Sequence, residues 1–96
     1  MREHVPMQDK ITIDNANEMR QTLVEAIFSQ QGRVVVDISG ITYMDTSGLA
    51  TLLEALRNAG KQGKKLVLRG IQEQPRWLFE VTELDHVFEI EEVGKL

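Results

Sequence analysis

Two periods alternate along this 96-residue chain. Val34-Val35-Val36-Asp37-Ile38 is a short, mostly apolar, β-branched run ending at Ser39-Gly40. That is the pattern of a central strand buried on both faces, as in parallel pairings. Leu66-Val67-Leu68 repeats it and stops at Arg69-Gly70, while Val87-Phe88-Glu89-Ile90 is more polar and suits a sheet edge. Between these runs the period lengthens to that of a helix. Ala16, Met19, Leu23, Ala26 and Ile27 share one helical face. Asn15 with Glu18 has the form of a capping box, and Gly32 follows as a stop. Leu49, Leu52, Leu53 and Leu56 stand at i, i+3, i+4 and i+7, with Gly60 as the C-terminal breaker. A third helix is expected to start at Pro75, a favoured first helical position, with Trp77, Leu78 and Val81 as its buried stripe. Trp77 has a second reading, as a partly exposed interface anchor.

The order is strand, helix, strand, helix, strand, helix, strand. One apolar stripe per helix suits helices that cover a sheet. The opening strand is read from Val5, Met7, Ile11 and Ile13, which alternate with polar residues; Pro6 cannot donate to a ladder and places it at an edge. No internal repeat, low-complexity tract or linker divides the chain, so residues 1–96 are expected to form a single domain.

Composition narrows the function classes. With 42% hydrophobic and 27% charged residues the chain belongs with globular proteins. Zero cysteines exclude a disulfide scaffold, a thiolate nucleophile and a thiolate metal site. A net charge of −4 argues against bulk attraction to nucleic acid or anionic membrane. No apolar run approaches the ~20 residues that span a bilayer, and residues 1–10 are too polar for a signal peptide, so a cytoplasmic location and no membrane insertion are expected. The charges are also segregated. Between Arg57 and Arg76 stand six basic residues and one acid, and between Glu80 and Glu92 six acids and no base. Such runs serve as solvated faces or as patches that steer a complementary protein partner. The basic run has no aromatic residue on which a base could stack, which argues against direct nucleic-acid binding.

Catalytic signatures are missing. His4 and His86 have no carboxylate or histidine at ligand spacing, and there is no nucleophile elbow, phosphate-binding lysine loop or dinucleotide fingerprint. The chain is therefore expected to be no enzyme and to use no metal or cofactor.

One segment stands apart. Tyr43-Met44-Asp45-Thr46-Ser47-Gly48-Leu49 joins a buried strand to the best-patterned helix. Asp45, Thr46 or Ser47 can supply the N-cap, and Gly48 lets the first turn sit close to the sheet. The same features suit a switch. A hydroxyl at a helix N-terminus lies among unpaired N–H groups at the positive end of the dipole, where a phosphate of about −1.5 to −2 charge is tolerated. A partner that had buried the neutral hydroxyl would then face a dianion.

Val35-Val36-Asp37-Ile38-Ser39-Gly40 followed by Met44-Asp45-Thr46-Ser47-Gly48-Leu49 resembles the signature of the STAS domains of bacterial anti-sigma factor antagonists. Ile13-Asp14-Asn15-Ala16-Asn17 upstream, and Leu66-Val67-Leu68 and residues 78–90 downstream, are similar to the family's other landmarks. The resemblance implies an α/β fold, a STAS-type mixed β-sheet of about four strands with helices packed mainly on one side. It implies that the unphosphorylated domain binds an anti-sigma factor, often a serine protein kinase, and that phosphorylation releases it until a serine phosphatase reverses the modification. Ser47 matches the phosphorylated hydroxyl, with Thr46 as second choice. Asp14, Asp45, Thr46, Ser47, Gly48 and Leu49 are implied as the partner-binding residues. The alternative is a STAS scaffold that is not phosphorylated, or an accessory subunit of an ABC-type lipid transport complex or of a chemosensory or secretion complex. Two features depart from the family pattern: a short opening segment, and no glycine just before Asp14.

Overall fold

Residues 9–93 are described by a computed structural model of the chain. The elements run β1 (Lys10–Ile11), α1 (Ala16–Ser29), β2 (Arg33–Asp37), β3 (Tyr43–Met44), α2 (Thr46–Lys61), β4 (Lys65–Arg69), α3 (Glu73–Val81) and β5 (Glu89–Glu91). β1 pairs with β3, and β2–β4–β5 form a three-stranded sheet; every one of these pairings is parallel. The α/β architecture with helices on one side is as expected, but the strand count is not. In place of one mixed sheet of about four strands, the described residues hold five strands in two sheets. The additional strand is Tyr43–Met44, two residues long and so without a period to read. Val5, Pro6 and Met7 lie outside the described residues.

Alternation in the three-stranded sheet separates a covered face from a charged one. Val34, Val36, Leu66 and Leu68 point into the core with Ile38, Ile41 and Leu52. On the other face, register places Arg33 beside Lys65, Val35 beside Val67 and Glu89, and Asp37 beside Arg69 and Glu91. The two charge runs of the sequence meet here: Lys65 lies 3.5 Å from Glu89, and Arg33 lies 3.7 and 3.8 Å from Glu89 and Glu91. Because Arg33 on β2 reaches β5, its side chain crosses β4, where Val67 is fully buried.

The free edges of β2 and β3 are closed by glutamines. Gln30 accepts from the Val35 N–H at 3.0 Å and donates to its carbonyl at 3.4 Å. Gln74 does the same for Met44, at 2.8 and 3.0 Å. Each amide takes the place of a neighbouring strand, so the edge groups are paired without extending the sheet.

The helices follow their stripes with three adjustments. α1 buries Met19, Leu23 and Ile27 as expected. α2 buries Leu49, Leu52, Ala55 and Ala59, while Leu53 and Leu56 are half-buried. Its stripe is turned toward Thr51 and Ala55, small residues that let it pack closely on α1 as well as on β4. α2 also runs through Gly60 to Lys61, and the turn falls to Gly63, whose φ of +71° is the left-handed conformation that glycine adopts freely. In α3 the expected stripe holds only at Leu78, and Trp77 follows its second, exposed reading. Pro75, Leu78 and Phe79 are buried, whereas Trp77 and Val81 are exposed. Phe79 stacks on Phe88 with ring centroids 5.0 Å apart. Residues 77 and 79 lie about 200° apart around a helix, so burying Phe79 turns Trp77 outward. Arg76 then ties α3 to the segment after β5 by a 2.7 Å bond to Glu92, and that hydrogen bond pushes the guanidinium pKa up.

Candidate functional site

The site grows from one carboxylate. Asp45 is the N-cap of α2, which settles which of the three candidates caps the helix: its Oδ1 accepts from the Gly48 N–H at 2.9 Å. Its other oxygen, Oδ2, accepts from the Ile13 N–H at 3.2 Å. Its backbone N–H donates to the Ile11 carbonyl at 3.3 Å, and its carbonyl accepts the first helical bond from Leu49 at 3.0 Å. Asp45 thus fastens the start of α2 to β1 and to the loop that follows β1.

That loop is fixed by its own side chains. Asn15 accepts from the Thr12 N–H at 2.9 Å and donates to the Lys10 carbonyl at 2.8 Å, and the Thr12 hydroxyl accepts from the Asp14 N–H at 3.2 Å. Asn15 does precede α1, but its side chain makes no cap bond to the helix. It is spent on the strand end, so the expected capping box with Glu18 does not form. The turn also ends the alternation of the opening strand: Ile11 is buried, and Ile13 is 73% exposed.

Gly48 is required by contact. A Cβ there would stand 2.3 Å from the Ile11 carbonyl oxygen and 2.8 Å from Met44 Cγ. Only a residue without a side chain lets the first turn of α2 rest on β1. Gly48 and Leu49 are both buried beneath the site. Thr46 is exposed, and Ser47, the second residue of α2, is half-buried. The Ser47 carbonyl accepts from the Thr51 hydroxyl at 2.9 Å. Its own hydroxyl, like that of Thr46, has no hydrogen-bond partner among the described residues. The N–H groups of a helix's first turn lack intrahelical acceptors, so this face presents donors, two hydroxyls and the positive end of the dipole.

The surface so formed is Ile13, Asp14, Thr46 and Ser47, with Asp45 between them. Five of the six residues expected to meet a partner lie at the start of α2, and Asp14 is brought beside them by the Ile13–Asp45 bond across 32 residues of chain. Ile13 is the member that periodicity misses. The signal was present in Asp14-Asn15, turn-forming residues that end a strand at that point. Asp14, Glu18 and Asp45 make the surroundings acidic, and neither Asp14 nor Asp45 forms an ion pair with a described residue. Among the described residues no group of three His, Asp or Glu side chains is placed to hold a metal ion. No described helix is long and apolar enough to cross a membrane.

Similarity to known proteins covers this site and nearly all the chain. The profile of the family described as Mlab, STAS domain, matches residues 3–92. Anti-sigma-B factor antagonists of Listeria monocytogenes and Listeria innocua are each 33% identical over 58 residues, which is 60% of this chain and 51% of theirs. The chain therefore spans about half the length of the curated relatives it matches. Among solved structures, a Thermotoga maritima protein provisionally assigned as an anti-sigma factor antagonist superposes with a TM-score of 0.78 at 18% identity, covering 91% of this chain and 76% of its own. The anti-sigma factor antagonist SpoIIAA in its unphosphorylated form gives 0.59 at 16% identity, over 91% and 74%.

Proposed function

Because the chain belongs to the STAS domain family, we propose that it is an anti-sigma factor antagonist that works by partner switching in the cytoplasm. Unphosphorylated, it binds an anti-sigma factor that is also a serine protein kinase, through Asp14, Asp45, Thr46 and Ser47 with Gly48 and Leu49 as the buried support. The kinase transfers the γ-phosphoryl group of ATP to the Ser47 oxygen, Thr46 being the second choice, and the complex parts. A serine phosphatase restores the binding form. The chain itself, residues 1–96 acting as one domain, is a binding module and the catalysis belongs to its partners.

The observation that carries this reading is the Ser47 hydroxyl: half-exposed, without a partner among the described residues, and in the first turn of a helix whose cap is already supplied by Asp45. Because the cap does not depend on Ser47, a phosphate there leaves the helix intact. It adds a dianion to a surface that already carries Asp45, and a partner that had buried the neutral hydroxyl, or set a carboxylate against it, is released by desolvation and like-charge repulsion. Affinity capture from the source cells, with phosphosite mapping of the recovered chain, tests it. A kinase-fold partner and phosphate on Ser47 or Thr46 support the switch; an unmodified chain held by other proteins overturns it. A second reading is favoured by the family description covering residues 3–92: an accessory STAS subunit of an ABC-type lipid transport complex. Co-purification with a transporter ATPase would decide for it.

A further inference from the structure

We infer that a groove at the other end of α2 from Ser47 is a second binding site, and that it takes an acidic peptide segment of a partner protein by one apolar side chain. The groove has a volume of about 480 Å³ and lies between the last turns of α2, the start of β4 and the segment that leads into β5. Its floor is apolar: Leu56, Leu66 and Phe88, with Val87 left 48% exposed beside them. Gly60 forms one wall, and it supplies an independent observation. The residue is helical, its φ is not positive, and a Cβ built there meets nothing within 4 Å. The left-handed turn that ends α2 is provided by Gly63 instead. Neither backbone geometry nor packing therefore calls for glycine at 60, where it costs about 1 kcal/mol of helix stability relative to alanine. Because residues 56 and 60 share one face of α2, its missing side chain keeps the groove open above Leu56.

The charges around the groove select the occupant. Lys64, Lys65 and His86 line it against one acid, Glu89. Glu89 is taken by Lys65 at 3.5 Å and Arg33 at 3.7 Å, and Asp85 stands 3.9 Å from His86. Glu54, one turn before Arg57, is held by Arg20 at 3.0 Å. Lys64 donates to the Ile27 carbonyl at 2.6 Å. Like Arg57 and Lys61, which adjoin Leu56 and Gly60 on α2, it forms no ion pair with a described residue. The negative end of the helix dipole is about half a charge, which Lys61 in the last turn already answers. Arg57 and Lys64 remain as cations without a carboxylate, beside an apolar floor. An apolar side chain flanked by carboxylates complements that arrangement. The chain's net charge of −4 opposes approach to a membrane or nucleic acid, whereas a short segment meets only the local field, which reaches about 8–10 Å. Ser47 is about 20 Å away along α2, beyond that reach, so groove and switch act independently and the inference does not rest on the antagonist reading.

The test selects random dodecapeptides displayed on phage against the wild-type chain, with counter-selection on Gly60→Leu, which puts an apolar side chain into the groove. The enriched peptides are expected to carry an apolar residue with Asp or Glu close on either side. The best of them, synthesised with a fluorescein label, is then titrated by anisotropy. Its Kd should rise by about 10-fold or more for Gly60→Leu and stay within about 3-fold for Gly60→Ala, whose methyl group leaves the groove open. Arg57→Glu should weaken it by about 5-fold or more, and Ser47→Asp by less than about 2-fold. Leucine is a better helix former than glycine and its Cβ meets no neighbour, so the melting temperature of Gly60→Leu should equal or exceed the wild type's. Binding lost in that variant is then not folding lost. The inference is overturned if no peptide is enriched on the wild type over Gly60→Leu, if the enriched peptides lack acidic residues, or if Gly60→Leu binds the selected peptide within about 2-fold of wild type. It is overturned as well if no peptide is enriched while phosphatidylglycerol vesicles, or a second copy of the chain in sedimentation, bind the wild type and not Gly60→Leu.

Discussion

Gly48 and Asp45 show how much one residue decides at the start of α2. The 2.3 Å separation that a Cβ at Gly48 would meet is to a backbone oxygen, which cannot move aside without pulling β1 out of place. Gly48→Ala is therefore expected to lower stability by about 1–3 kcal/mol or more, measured by urea unfolding, even though alanine is the better helix former. Asp45→Ala removes a cap and a tie to the loop together. It should cost about 1–2 kcal/mol and speed amide exchange at both Gly48 and Ile13. Exchange that quickened at Gly48 alone would show that the bond to Ile13 carries nothing. Trp77 belongs to the same scale. At 57% exposure its fluorescence should be red-shifted and open to an aqueous quencher. A blue-shifted, unquenched emission would contradict the packing of Phe79 against Phe88.

Among the elements, the three helices and the two longer strands were legible from period alone. What period could not show is how the edges are finished. Glutamine carries no hydrophobic signal, so neither Gln30 nor Gln74 draws attention, yet each satisfies two backbone groups that would otherwise lie open. Gln74→Ala leaves the Met44 N–H and carbonyl without the amide, beneath the turn that begins α2. The expected loss is about 1–3 kcal/mol, with faster exchange of the Met44 amide. Gln74→Glu, which can accept but not donate when ionised, should recover the N–H bond and not the carbonyl one. Tyr43–Met44 is a related case: a two-residue strand exists only because β1 lies beside it.

At the scale of the whole molecule, the outer face of the three-stranded sheet is neutralised by pairs between distant segments. Basic and acidic runs distant in the sequence cancel across the outer face of the sheet, where parallel β4 and β5 set Lys65, Arg69, Glu89 and Glu91 side by side. These are exposed pairs, worth little singly to stability. Their effect is to take that face out of contention as a charged docking patch. With a net charge of −4, association with a basic partner should slow as ionic strength rises, visible in stopped-flow on-rates with little change in dissociation. Ser47→Asp should leave the melting temperature within a few degrees while sharply weakening the partner. A large fall in melting temperature would mean that Ser47 supports the fold rather than the switch.

Sequence by itself determined the elements with a long period, the α/β class, the signature from Val35 to Leu49 and the hydroxyls at a helix start. Those properties are local, set by which residues recur within a few turns. Tertiary structure decided which of three candidates caps α2, why Gly48 must be glycine, which way α3 is turned, and that Ile13 stands exposed with its N–H on Asp45. Each depends on a contact between distant segments: Asp45 with Ile13, Gly48 with Ile11, Phe79 with Phe88. A carboxylate that can cap a helix is recognisable from its neighbours in the chain, but the second hydrogen bond it accepts is set by whatever the fold brings to its other oxygen.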